Sequence, residues 1–384
     1  MPQASYWTAY DVQDRILDFL GASSEGRNLK VVRRAMLDAL RDVANRRNWH
    51  YYYRRDRIVT TASYDTGTVE YDLTGGTYER MLTLTSGTWP SDAAYGIVRI
   101  DGDEYMVDER KSSTVITLKS GQAPAADIAS GTSYEWYRDT YTLPADFRRA
   151  DQIRDLDWAF DMVRVDVGTV LESRRLRPSP SQPDMYAITS DPVLPNRLAV
   201  MFNPPPSAAY NMDYVLQRTP YPLRTYDYST GTVAITGGTT TVTGTGTAWT
   251  SDMEGSIIRV TSGTETPTGV DGLNPYTEER IIDTVASATS LTVTSAFTST
   301  YSTKKYRISD RIDVEDGAML SAYHKCCEYN AAMMMNRDDA PVKQAVYMEA
   351  LRLALEADNR GFEPRRLRRT YLRAQDYPIG DDSG

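Results

Sequence analysis

From Thr239 to Thr247 every odd position is Thr, and the even positions hold Thr240, Val242, Gly244 and Gly246. Successive side chains of a strand point to opposite faces. The run therefore predicts one solvated Thr face and one face of small or apolar residues. Thr is also a strong strand former. Gly237-Gly238 separates this run from "TVAI", and the pair predicts the turn of a hairpin. The glycines of the small face leave room for a backbone or a large aromatic ring to approach closely.

The same pattern occurs earlier in the chain. Setting Trp89 of "TGTVEYDLTGGTYERMLTLTSGTWPSD" on Trp249 of "TGTVAITGGTTTVTGTGTAWTSD" places Leu82 and Leu84 on Val242 and Gly244, with the faces preserved. The match continues beyond the Trp. "AAYGIVRI" answers "MEGSIIRV", "DEYMVDE" answers "TEERIIDTV", "SSTVITLKSG" answers "SATSLTVTSA" and "TSYEWYRD" answers "STKKYRISD". The second copy has an extra loop, 261–276. Matched segments in one order predict two duplicated antiparallel β barrel or sandwich modules.

Helical spacing marks both ends of the chain. Residues 8–20 and 28–48 form two candidates, the second with Leu29, Val32, Met36, Leu37, Leu40 and Val43 on one face and Asn28 as N-cap. Residues 317–337 form a third. The fourth has Asp339 as cap, Pro341 in its first turn, and Gly361 and Pro364 at its end. Short helices are marginal alone. One four-helix bundle built from both termini solves this, burying Leu29, Met36, Leu40, Val346 and Leu353. The expected class is α+β. The expected regions are bundle helices 1–58, β module 1 at 59–141, and a linking segment at 142–226. β module 2 at 227–310, bundle helices 311–361 and a basic tail 362–384 follow. The linking segment is expected to have strands at 197–202 and 212–218 around Pro204–Pro206, which cannot donate ladder hydrogen bonds.

Composition narrows the function. The chain has 384 residues, 41% hydrophobic, with 27 Tyr and 6 Trp, which describes a folded protein. A net charge of −9 argues against a globally basic nucleic-acid binder. No apolar run reaches the roughly 20 residues of a membrane span, and "MPQASYWTAYDVQDR" lacks the pattern of a secretion signal. Cys326 and Cys327 are adjacent and offer no disulfide framework, as expected of a chain made in a reducing cytoplasm.

Candidate chemistry is sparse. His324 and Cys327 share a helix face and could form a nucleophile pair, but buried packing is the simpler reading. The carboxylates Asp101, Asp103, Glu104, Asp108 and Glu109 suggest a calcium loop, yet Asp101-Gly102 more simply makes a hairpin turn. There is no phosphate-cradling G-x-x-x-x-G-K motif. The expectation is no enzyme and no cofactor. Two basic runs stand out. Arg46, Arg47, Arg54 and Arg55 lie among aromatics and suit DNA or an acidic neighbour, against a plain solvated helix end. Arg365, Arg366, Arg368 and Arg369 follow the last helix and suit docking on a partner.

The terminal helices, "LPADFRRADQI", the segment "PDMYAI…NRLAVMFNPPPSAAYNMDYVLQRTPYPL" and the two Thr-rich modules together resemble the head-to-tail adaptor of tailed bacteriophages, of the podovirus tubular or gatekeeper type. The resemblance implies a ring, usually of twelve copies, beneath the portal protein. Such a ring extends the DNA channel and receives the next tail component, a nozzle or fibre protein. Genomic DNA passes through without sequence-specific binding, and the protein resides in the virion tail. Compact family members lack one or both β modules. Two other classes compete: a carbohydrate-binding or adhesin-type tail protein, and a virion enzyme such as a wall-degrading hydrolase.

Overall fold

Thr8 opens the first helix, α1 (Ala9–Leu20), through a reciprocal capping box: its hydroxyl accepts from the Asp11 amide, and the Asp11 carboxylate accepts from the Thr8 amide. Gly21 closes it in the left-handed conformation, φ 61°. Ala9, Val12 and Ile16 line its buried face. The second helix, α2 (Gly26–Asn45), buries Val32, Ala35, Met36, Ala39, Leu40 and Val43. It starts before Asn28, so that residue lies within the first turn rather than capping it. The computed structural model describes residues 6–21, 26–155, 160–269 and 276–361. By contacts the chain divides into two units, Met1–Tyr51 with Pro220–Gly384, and Tyr52–Thr219. It is a mixed α+β protein with mostly antiparallel sheets. No helix among the described residues is long and apolar enough to cross a membrane.

The Tyr52–Thr219 unit begins with β1 (Tyr53–Val59). Then come β2 (Val69–Asp72), β3 (Met81–Leu84), β4 (Ile97–Ile100), β5 (Asp103–Arg110), β6 (Val115–Leu118), β7 (Ile128–Thr132) and β8 (Tyr134–Tyr137). These last seven form one sheet, ordered β7-β2-β3-β6-β5-β4-β8. It closes over Val69, Leu82, Trp89, Val98, Ile116 and Trp136. The rest of the unit contains β9 (Thr140–Thr142), β10 (Phe147–Asp155), β11 (Phe160–Asp161), β12 (Val163–Arg164), α3 (Val167–Leu176), β13 (Met185–Ser190), β14 (Leu198–Asn203) and β15 (Asn211–Arg218). Two four-stranded sheets result, β1-β15-β10-β11 and β12-β13-β14-β9. They share a core of Tyr141, Phe147, Tyr186, Phe202, Met212 and Leu216. Residues 53–58, grouped with the helices in the sequence reading, belong to β1, which pairs along its whole length with β15. Helix α3 lies in the linking segment, where no helix was expected.

The other unit contains β16 (Thr232–Ile235), β17 (Thr241–Thr245), β18 (Ile257–Val260), β19 (Glu278–Ser287), β20 (Ser290–Val293), β21 (Tyr301–Lys304) and β22 (Tyr306–Ser309). Their order is β21-β16-β17-β20-β19-β18-β22. On β17 the threonines are exposed while Val242 and Gly244 are buried. A Cβ on Gly244 would stand 2.9 Å from the Trp249 ring and 2.3 Å from the Thr247 hydroxyl. The turn before it has Gly238 at φ 81°. The core gathers Val233, Val242, Trp249, Ile258, Leu291, Phe297 and Tyr306.

Two helices complete this unit, α4 (Ala318–Met334) and α5 (Ala340–Gly361). Helix α4 packs on α1, α2 and α5, and α1 packs on α2. Met36 and Leu40 are buried as expected, and Leu29 is half-buried. The inward stripe of α5 corrects the sequence reading. Val346 and Leu353 are 42% and 48% exposed, while Tyr347, Leu351, Ala354 and Asp358 face inward. Polar anchors select this rotation: Tyr347 donates to Asp42 of α2, and Asp358 pairs with Arg47 and His50.

Candidate partner-binding sites

The first basic run is held by carboxylates within its own units. Arg46 pairs with Asp42 of the preceding turn at 2.9 Å. Arg47 lies 3.1 Å from Asp358 and donates to the Leu355 carbonyl in the closing turns of α5, where a cation complements the helix dipole. Arg54 makes a two-pronged contact with Asp146, at 2.9 and 3.2 Å. The Arg55 Nε donates to Asp213 at 2.7 Å, and Arg57 donates to the other oxygen of that carboxylate at 2.5 Å. Arg46, Arg47, Arg54 and Arg55 are therefore each paired with a carboxylate of their own unit. Arg365, Arg366, Arg368 and Arg369 lie outside the described residues.

His324 and Cys327 are buried in α4. The imidazole packs edge-on against Trp7 at 4.7 Å, and burial lowers its pKa to about 4. Burial also pushes the Cys327 thiol well above its ordinary value, the direction opposite to an activated thiolate. Asp101 and Gly102, at φ 53° and 92°, form the tight turn between β4 and β5. Glu104 and Glu109 of the acidic cluster pair with Arg99 and Lys111. The described residues contain no group of three His, Cys, Asp or Glu side chains placed to hold a metal ion.

Two arginines that sequence reasoning passed over stand at matching strand positions of the two modules. Arg259, in the middle of β18, is 1% exposed. It donates to Asp11 at 2.7 Å, Glu279 at 3.1 Å and the Tyr6 carbonyl at 2.5 Å, and stacks on Tyr276. It thus ties the start of α1 to the β module of the same unit. Burial pushes the Glu279 carboxyl up, against the lowering effect of the Tyr6 amide and Arg259. Arg99 occupies the same position in β4. It pairs with Glu104 and Glu135 at 2.9 and 3.1 Å and donates to the Pro178 carbonyl beyond α3. The signal was present: "IVRI" and "IIRV" each place one Arg inside an otherwise apolar strand.

Beside Arg259's strand lies a cleft of about 390 Å³ lined by Tyr221, Arg224, Asp252, Glu254, Asp310 and Arg311. Its charges are mostly satisfied from within. Arg224 pairs with Asp252 at 2.8 Å, and Asp310 accepts from Ser256 and the Thr225 amide, both at 2.6 Å. The Glu254 carboxylate accepts from the Val285 amide at 3.0 Å. Among known proteins, no family model, no curated protein and no solved structure matches the chain.

Proposed function

We propose that the chain is a structural virion protein, an adaptor that forms a ring beneath the portal, joins the phage head to the tail and extends the DNA channel. The observation that carries this reading is the packing of the two chain ends. Helices α1 and α2 meet α4 and α5 in one unit, and a β module is inserted between them in sequence. In this reading the four helices are a bundle, and the modules around Trp89 and Trp249 are duplicated copies with the same strand order. Twelve copies close the ring. The portal protein takes one face, and nozzle or fibre proteins take the other. A net charge of −9 suits a channel wall that DNA passes without sticking. The adhesin reading loses support because Trp89 and Trp249 are 1% and 3% exposed, so neither presents a ring to a sugar.

Reconstruction of DNA-filled particles tests this. The expected result is density for this chain in a ring directly under the portal. Density only at the distal tip or on the fibres would sink the adaptor reading and favour the adhesin.

A further inference from the structure

A cleft of about 270 Å³ opens in the Tyr52–Thr219 unit, where the Trp89 module meets α3 and the β13–β14 connection. Tyr95, Met106, Leu171 and Val193 line it, and they are 40%, 38%, 48% and 43% exposed. Single exposed apolar side chains are ordinary, but several gathered around one opening mark an interaction surface. The volume stands near the lower end of the roughly 300–1,000 Å³ of small-molecule pockets and is large enough for one or two side chains.

The cleft also has a charge preference. Arg174 and Asp139 line it at 6% and 4% exposure, with an Asp139 oxygen 2.5 Å from one Arg174 nitrogen. Beyond that ion pair, the Arg174 Nε and the Asp139 Oδ2 are both buried without a hydrogen-bond partner. A buried unpaired donor is unfavourable and gains from any acceptor brought to it. Lys119 is a further lining residue, with no ion pair among the described residues. Two cations thus face one carboxylate, in a chain of net charge −9.

The cleft of the other module stands at the same place in the fold. Ile281 faces Ile257 there as Met106 faces Ile97 here. There Arg224 pairs with Asp252, and Glu254 and Asp310 accept from backbone amides and a hydroxyl, whereas this cleft is apolar at the rim and holds two cations to one carboxylate.

We propose that the module 1 cleft docks a peptide segment of a partner protein that presents an apolar side chain with a carboxylate beside it. The side chain enters among Tyr95, Met106, Leu171 and Val193. The carboxylate meets Lys119 and supplies the acceptor that Arg174 Nε lacks, a charge-assisted contact. The cleft lies wholly within one unit, so the proposal stands apart from the ring reading.

The test uses the full chain and four blocked peptides, observed by saturation-transfer NMR. Acetyl-Gly-Phe-Asp-Gly-amide is compared with its Asn analogue, its Ala-Asp analogue and its Phe-Lys analogue. The Phe-Asp peptide should bind at least about fivefold tighter than each of the others, since only it supplies both apolar area and an anion. Leu171→Glu and Lys119→Glu, both changes at accessible side chains, should each weaken it by a similar factor. Glu254→Ala, in the other cleft, should leave it unchanged. Absence of binding, equal binding of the Asn peptide, or full binding by Leu171→Glu would each overturn the proposal. Loss of binding in Glu254→Ala alone would place the site in the wrong module and overturn it equally.

Discussion

The two β modules share strand order and register but differ in how each is fastened. In both, a Tyr ahead of the first strand bridges to the last: Tyr64 to Trp136, Tyr228 to Ile308. Its hydroxyl accepts from the backbone just before the central Trp, at Thr88 or Ala248. The Trp lies edge-on to Tyr134 or Tyr306, with centroids 5.1 and 5.9 Å apart. Gly67 and Gly231 turn at φ 83° and 86°. The frame is thus set by period-2 alternation and a few ring contacts. The matching arginines differ in their partners. Arg259 reaches out of the frame to Asp11 and the Tyr6 carbonyl. The carboxylates that Arg99 meets, Glu104 and Glu135, lie within its own module, and the Pro178 carbonyl lies beyond it. That separation lets one β framework serve two surroundings.

The largest expected difference lies in those arginines. Arg259→Ala leaves the carboxylates of Asp11 and Glu279, each almost fully buried, without their cation. Breaking a buried pair in this way costs about 3–5 kcal/mol. Arg99→Ala exposes Glu104 and Glu135, whose side chains are each already 33% exposed, and should cost about 1 kcal/mol. Urea unfolding gives the totals, and hydrogen exchange over 9–20 and 257–260 against 97–100 locates them. Equal losses in both variants would mean that the two attachments are equivalent and the contrast is false.

Next comes a compensated pair inside the frame. A Cβ on Gly96 would stand 2.2 Å from the Trp136 indole nitrogen, so the large ring requires the small residue. At the same two places the other module has Ser256 and Ile308, and the Ser256 hydroxyl donates to Asp310. Gly96→Ser should cost about 1–3 kcal/mol by overpacking. Trp136→Ile should cost about 3 kcal/mol through lost burial and a cavity. The double variant should be more stable than the sum of the two predicts by about 1 kcal/mol or more, measured as a coupling energy from denaturant midpoints. Strict additivity would show that the two modules do not solve the same packing problem.

The strands were legible in the sequence because burial alternates residue by residue, as along β17, and because Trp89 and Trp249 gave a common origin. The rotation of α5 was not. Val346 and Leu353 are as apolar as Leu351, and the choice falls to Asp42 and Arg47, more than 290 positions away in the chain. Helix α3 escaped because it buries little beyond Val170 and Arg174. The arginine run read as a basic patch in one dimension. The carboxylates that offset it, Asp146, Asp213 and Asp358, come from distant segments that no local pattern connects. The apolar cleft of module 1 was hidden for the same reason, since Met106, Leu171 and Val193 come from three separate segments.

The smallest expected difference concerns the tyrosine beside each Trp. Tyr306 has two tasks: its hydroxyl accepts from the Trp249 Nε1 at 3.0 Å and donates to the Thr230 carbonyl at 2.6 Å. Tyr134 has one, a bond to the Thr66 carbonyl at 2.9 Å, because the Trp89 Nε1 donates instead to the Thr114 carbonyl. Tyr306→Phe therefore strands an indole N–H in a core where Trp249 is 3% exposed. An orphaned buried donor costs about 1–3 kcal/mol, whereas losing a single neutral bond costs about 1 kcal/mol. Tyr134→Phe leaves only a carbonyl at Thr66, an exposed residue that water can reach. Thermal melts of the two variants should differ by about 1 kcal/mol, with Tyr306→Phe the less stable. A Tyr134→Phe loss as large as that of Tyr306→Phe would mean that the indole finds another acceptor. The hydrogen-bond asymmetry between the modules would then carry no energetic weight.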